Sequence, residues 1–345
     1  VDIYKGVAPA KYGDAISSVV DVKLSEGSNE PKLNIDIGTL RSGFVFETRG
    51  DRKWHAFVAG RTANVDMLTG VAFRKFKDIR KVDVMNEYYT FGFNDLDGKV
   101  TFKPTNRTSI SLNAHLGNDE NASYVQSNWV REDLGQVFTN KVGGDFIKNH
   151  NITLNASHVF PSGISLRNTA WFTYYDRVYR RDEDVFRNFN PIGKINYSRR
   201  TYLYDRSNRT ELSIPVGGIH LLKTGFQATS FTVNPLSGRN RNEIFNTDSL
   251  FGVPDNNAFE SAVFVDGTLN LTPRTSLKAG IRGTWLSTSD TSFFYVEPRL
   301  QFNHELSETW SWQLGASMNS QPLHDLVQAY GDYENESWVL ADGDT

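Results

Sequence analysis

The sequence predicts an all-β protein, an antiparallel transmembrane β-barrel. Three observations carry this: period-2 alternation of apolar and polar residues, connections that alternate between short and long, and low hydropathy joined to many aromatics. The 345 residues have a net charge of −3, a mean hydropathy of −0.46 and 13% aromatic residues, including 23 Phe and 14 Tyr. A membrane helix needs about 20 consecutive apolar residues, and no stretch approaches that. A barrel strand shows lipid only every second side chain, so its average hydropathy stays low. Composition alone fits a soluble all-β protein equally well, so the pattern along the chain decides.

Alternation is clearest toward the C-terminal half. In 276–288, Leu277, Ala279, Ile281 and Trp285 fall on one face, and Lys278, Gly280, Arg282 and Thr284 on the other. In 294–304, Phe294, Val296, Leu300 and Phe302 oppose Tyr295, Glu297, Arg299, Gln301 and Asn303. Segments 109–116 and 310–318 repeat the pattern. Each has about the 9–11 residues that cross a bilayer at a tilt. About 13 strands are readable between 32 and 320 on this basis.

Short turns are expected at Arg49–Arg52, Pro104–Arg107, Pro161–Gly163, Pro215–Gly218, Pro273–Thr275 and Leu306–Glu308. Long polar loops are expected at 63–86, 117–149, 176–196, 233–257 and 321–345, with one short connection near 288–293. Short turns at one end and long loops at the other is the pattern of outer-membrane barrels, whereas a propeller would repeat similar blades. Bacterial single-chain barrels have even strand numbers, so an odd count reads as part of a barrel. Val1 without an initiator Met, and Thr345 within a polar acidic stretch, read as cut ends. The aromatic cluster Trp171, Phe172, Tyr174 and Tyr175, like Tyr88, Tyr89, Phe91 and Phe93, reads as an interfacial girdle or as ordinary strand composition.

The sequence shows no chemistry of catalysis. With no cysteine, disulfides, thiolate metal sites and Cys nucleophiles are excluded. The seven His residues lack zincin spacing, and neither a Gly-x-Ser-x-Gly elbow nor a P-loop is present. The chain is therefore expected to be neither an enzyme nor a holder of metal. The acidic stretch 332–345 lacks EF-hand spacing and reads as a solvated loop. Net charge gives no basic field for nucleic acid. Basic and aromatic residues gather at Arg74, Lys77 and Arg80, and at Arg177, Tyr179 and Arg180. As loop residues these are candidates for contacting an anionic ligand, lipopolysaccharide phosphates or only water.

Residues 1–28 differ from the rest. Gly6, then Pro9-Ala10-Lys11-Tyr12-Gly13, then Ser17-Ser18-Val19 resemble the end of the plug domain of TonB-dependent outer-membrane receptors, with Lys11 where that family usually has Arg. Tyr88-Tyr89-Thr90-Phe91, Asp95–Val100, Ser111–Asp119, Glu297-Pro298-Arg299-Leu300 and Ser320-Gln321-Pro322 resemble later motifs in the family's order. The Ser17-Ser18-Val19-Val20 run is unlike the Asn-Gly-Val-Ile plug end of Sus-type glycan transporters. The resemblance implies a plug end at 1–30 and, at 31–345, the first part of a 22-stranded barrel in a Gram-negative outer membrane. It implies active uptake of a small extracellular ligand such as a ferric siderophore. No cofactor beyond the iron of such a cargo is implied. The implied partners are outer-membrane lipid, lipopolysaccharide and the TonB–ExbB–ExbD energy-coupling complex, the last reached through a preceding segment. A passive porin and a structural role in an envelope assembly are the alternatives.

Overall fold

The computed structural model describes residues 1–26, 30–49, 53–64, 84–131, 135–217, 220–330 and 333–341. A short pair opens the chain, β1 (Asp2–Tyr4) and β2 (Val19–Asp21). Then come β3 (Lys32–Ile37), β4 (Arg41–Arg49), β5 (Trp54–Ala63), β6 (Val84–Thr105), β7 (Thr108–Arg131), β8 (Gly135–Val159), β9 (Ser165–Arg187), β10 (Asn190–Val216) and β11 (His220–Asn242). After β12 (Thr247–Gly252) follow β13 (Asn256–Thr272), β14 (Thr275–Thr288), β15 (Ser292–Glu305) and β16 (Ser311–Ser317). A hairpin of β17 (Leu323–Tyr330) and β18 (Tyr333–Leu340) ends the described chain. From β3 to β16 the strands form one antiparallel meander in chain order, apart from β12, which pairs only the outer end of β11. This is the expected all-β architecture, with thirteen strands along the path.

Burial runs opposite to that of a soluble protein. On β14, Ile281 is 50% exposed and its neighbour Arg282 is 0% exposed. Val263, Val265, Trp285, Phe294, Val296 and Leu300 are exposed on one face of the sheet, while Glu260, Glu297, Arg299 and Gln301 are buried on the other. Along the exposed face, Trp54 stacks on Phe102 and Phe302 meets Trp312 close to the short turns. Trp285 pairs with Phe294 farther up the same face. From His304, opposite Trp312, to Phe294 is about ten residues, or roughly 25 Å of height at a 40° tilt. That is the height of the apolar band of a membrane-spanning barrel.

The inner face is concave. Arg209 on β10 and Arg299 on β15 lie across about four strand spacings, roughly 19 Å on a flat sheet. Yet they donate to the carbonyls of Lys11 and Pro9, two positions apart on one segment (3.3 and 2.7 Å).

Two expectations need correction. The stretches 117–149, 176–196 and 233–257 are largely strand, because β7 reaches Arg131, β8 starts at Gly135, β9 reaches Arg187, β10 starts at Asn190, β11 reaches Asn242 and β12 covers Thr247–Gly252. Beyond the apolar band both faces of a strand meet polar surroundings, so alternation disappears while the backbone ladder continues. Within 321–345, β17 and β18 form a hairpin where a loop was expected. The short connection near 288–293 and the turns at 104–107 and 273–275 stand as expected.

Replacing Ile281 by Arg should destabilise the folded protein in bilayers by about 2–4 kcal/mol, the cost of a cation at the middle of a lipid-facing surface. Urea titration in lipid vesicles measures this, and an unchanged midpoint would show that this face does not meet hydrocarbon.

Candidate functional site

The N-terminal segment, residues 1–26, lies along the concave face and is held mainly through its backbone. Arg299 Nη1 donates to the Ala8 and Pro9 carbonyls at 3.2 and 2.7 Å. The Ala10 amide donates to Asp266 Oδ1 at 2.9 Å, and Ala10 is fully buried. Lys99 Nζ donates to the Leu24 carbonyl at 3.0 Å, and Lys103 pairs with Glu26 at 2.5 Å. Close approach requires small residues. A Cβ on Gly13 would lie 2.5 Å from Arg282 Nε, and one on Gly280 would lie 3.2 Å from Ala10 Cβ.

Beneath Gly13 sits a buried ionic cluster drawn from neighbouring strands. Arg282 Nη2 meets Glu260 Oε1 at 3.0 Å and its Nε lies 3.7 Å from Glu297 Oε2. Arg299 pairs with the same Glu297 oxygen at 3.2 Å. The Ser320 amide and hydroxyl donate to Glu297 Oε1 at 2.7 and 2.9 Å. Asp14, with φ of 60°, places its buried carboxyl among these groups, beside Glu260 and Arg282. Two carboxyl groups held close together away from water disfavour being ionised at the same time. Burial raises the Asp14 carboxyl above its ordinary value, while contact with Glu260 and the cations Arg282 and Arg299 pull it down.

Of the residues singled out at the start of the chain, Ala10 and Gly13 lie against the wall, whereas Gly6 is exposed. Gly6 takes a φ of 112° and Pro9 accepts a turn bond from the Tyr12 amide at 3.0 Å. The Tyr12 phenol donates to Asp21 at 2.8 Å and lies under the Arg209 guanidinium. Ser17 and Ser18, in contrast, are exposed beside β2.

Above this seat the inner face becomes basic and aromatic. Arg177 pairs with Asp145 at 2.9 Å, Tyr179 packs edge-on to Tyr197, and Tyr197 stacks on Phe251. Arg199 is buried opposite Tyr179 in the ladder. The pleat separates the expected trio: Arg177 and Tyr179 face inward from β9, and Arg180 points to the outer face. All three are strand residues, which corrects their expected placement in a loop. Arg74, Lys77 and Arg80 lie outside the described residues.

The same pleat divides the expected aromatic girdle. Phe172 and Tyr174 stack with Tyr204 on the outer face. Trp171 points inward and donates to Asp205 at 3.0 Å, beneath Arg209. Tyr175 also points inward and meets Trp338 of β18 edge-on. Leu340 beside it is buried against Leu203, Phe231, Val233, Ala258 and Leu286, so β17–β18 folds into the concavity. Adjacent positions on a strand face opposite ways, so a run of four aromatics cannot form one belt.

Sequence reading placed Arg282, Glu297 and Arg299 on polar faces without joining them to Glu260 and Asp14. A signal existed, since the short connection at 289–291 sets a register that puts Arg282 directly opposite Glu297.

No family model matches the sequence, and no curated protein matches it. Solved structures do. The ferripyoverdine receptor of the outer membrane of Pseudomonas aeruginosa, bound to ferripyoverdine, matches over 96% of this chain with a TM-score of 0.60 and 10% identity. The FpvAI–pyocin S2 complex matches over 94% with a TM-score of 0.59, also at 10% identity. The chain spans about half of each, 47% of the matched chain in both cases.

Removing the Arg282 guanidinium (Arg282→Ala) would leave Glu260 and Glu297 buried and short of a partner. A loss of about 3–5 kcal/mol in unfolding free energy is expected. The pH dependence of docking follows from Asp14. Its docked value is raised above the value of about 3.9 of a free Asp. Docking is therefore favoured in acid, weakens as pH rises through that interval and then levels off. Asp14→Asn should dock more firmly at neutral pH and flatten this dependence. Protease cleavage of the segment as a function of pH checks both expectations, and identical wild-type and variant profiles would contradict them.

In its strand order, polar concave face and length of match, the chain has the fold of part of the barrel of a TonB-dependent siderophore receptor.

Proposed function

We propose that this chain forms the plug end (1–30) and the first part of the barrel (31–345) of a bacterial outer-membrane receptor. The receptor takes up a scarce nutrient, such as a ferric siderophore, by TonB-dependent active transport. One observation carries the reading: a segment from outside the sheet fills the concave face, held by side chains from β6 to β15. A diffusion porin of about 16–18 strands keeps an aqueous lumen instead. The apolar outer band supports membrane insertion, and the fold shared with a receptor bound to ferripyoverdine supports the ligand class.

In this reading, ligand binds the inner wall at Arg177 and Tyr179, with Arg74, Lys77 and Arg80 as further candidates. Phe172 and Tyr174 meet the membrane interface. Energy from the TonB–ExbB–ExbD complex undocks the plug. The step is a change of binding between two plug states, with no covalent chemistry. The Arg299, Arg209 and Asp266 contacts resist the undocking, and the Asp14 seat sets part of its cost.

Uptake of iron-loaded siderophores under iron limitation, with and without TonB, tests the proposal. Uptake should vanish without TonB, and unchanged uptake would favour a passive channel. Replacing Arg177 and Tyr179 together by Ala should weaken ligand binding to the purified receptor about tenfold or more, as loss of a charge-assisted hydrogen bond does.

A further inference from the structure

We propose that two copies of this chain meet side by side in the membrane through the lipid-facing surface of β9–β11, at a polar patch formed by Asn168, Asn208 and Thr210. Even-numbered side chains of β9 and β10 point outward here, and Leu166 and Phe172 are exposed on either side of Asn168. The Phe160 amide donates to the Ile164 carbonyl, so the two residues share one level at the lower limit of the apolar band. From Ile164 to Tyr174 at the upper limit is ten residues, roughly 25 Å at a tilt of about 40°. Asn168 lies four residues up that path, opposite Thr210, and Asn208 lies opposite Ala170, six residues up. The three polar side chains therefore straddle the middle of the band. Followed across the sheet from Thr210, the same rung carries Phe226, Val263, Gly283 and Val296, all apolar.

The two amides pair reciprocally. Asn168 Nδ2 donates to Asn208 Oδ1 at 3.0 Å, and Asn208 Nδ2 donates to Asn168 Oδ1 at 3.2 Å. Asn168 Nδ2 also donates to Thr210 Oγ1 at 2.8 Å. Both N–H groups of Asn168 are then used. The second N–H of Asn208 and the Thr210 hydroxyl keep no acceptor among the described residues. Lipid tails offer none, and water and headgroup oxygens do not reach mid-height. A protein partner is the remaining source. A two-fold axis along the membrane normal brings each level of the surface against the same level of a second copy. The Asn208 amide and the Thr210 hydroxyl each carry a donor and an acceptor, and the patch has no charge, so it is its own complement. Ala170 and Ala228 flank Asn208 and leave room for this approach. Arg206, two positions above Asn208, would face its like, but it stands at the upper edge of the band beside Tyr204 and Phe172, where water and salt screen the charges.

The proposal rests on the membrane placement above and not on uptake. The sequence has no cysteine, so one introduced thiol can be bridged only to the same thiol of another copy. Full-length protein carrying Ala170→Cys or Ala228→Cys is treated with a short bis-maleimide in native outer membranes, with Ala279→Cys on β14 as the control. Covalent dimers should form at Ala170→Cys and Ala228→Cys and not at Ala279→Cys. Adding Asn168→Leu together with Asn208→Leu should weaken association in vesicles about tenfold, as losing hydrogen bonds between membrane segments does. Leucine suits a lipid-facing wall, so the urea midpoint of this variant at high lipid dilution should not fall, which separates lost association from lost fold. No dimer at either position, equal yield at Ala279→Cys, unchanged association of the leucine variant, or cross-links only to a different protein would overturn the site. Absence of the protein from outer-membrane fractions would overturn the placement on which it rests, and the site with it.

Discussion

Hydrocarbon offers a backbone amide no hydrogen-bond partner, and this constraint shapes the rest of the molecule. A chain that meets lipid must pair every N–H and C=O within itself. An antiparallel meander does so with the shortest connections. Once β3 to β16 pair in chain order, side chains alternate strictly between a lipid face and an inner face. The lipid face must be apolar, so polar and charged groups collect inside. Glu260, Arg282 and Glu297 are buried there because the pleat leaves them no other place. Their charges are then tolerable only in combination, and Arg282 is paired with carboxylates from the strands on both sides.

A charged inner wall needs a filling that offers hydrogen-bonding groups without bulk. Residues 1–26 supply backbone carbonyls at Ala8, Pro9, Lys11 and Leu24 and an amide at Ala10. Small residues at Ala10, Gly13 and Gly280 bring that backbone into reach of Arg299, Asp266 and Arg282. A seat of this kind holds its occupant by many charge-assisted bonds, each of which water can replace. Asp14 sits where such a seat is least comfortable, with a left-handed backbone and a buried carboxyl against Glu260. Hydrophobic packing of equal area would give firm attachment with no comparable response to protonation.

Much of the architecture was legible because lipid imposes a period. The faces of β14 and β15 could be written from 276–304 alone, since Ile281, Trp285 and Phe294 alternate with Arg282, Glu297 and Arg299. Above the band that signal ends. Gly117-Asn118-Asp119-Glu120 reads as loop, yet it continues β7, because the ladder needs only backbone groups. Trp171 and Tyr175 were grouped with Phe172 and Tyr174 by closeness in sequence, and the pleat sends the pairs to opposite sides. The seat was hardest to see, since Asp14 is far in the chain from Glu260, Arg282 and Glu297 on the consecutive strands β13 to β15.

The extension of β7–β11 beyond the apolar band joins the inner and outer faces in one continuous wall. A wall built from paired strands holds Arg177, Tyr179, Arg199 and Tyr197 in fixed relation, as flexible loops would not. The same strands carry Trp171 and Asp205 inward at the level of the N-terminal segment and Phe172 and Arg206 outward. Displacement of the segment would remove Lys11 and Tyr12 from Arg209, and Arg209 also lies over Trp171. Trp171 opposes Ser207 and adjoins Phe172 on one ladder, so the inner seat and the outward aromatic cluster share one pair of strands. In the proposed uptake, movement would fall to the segment, since the strands that seat it are paired along their whole length.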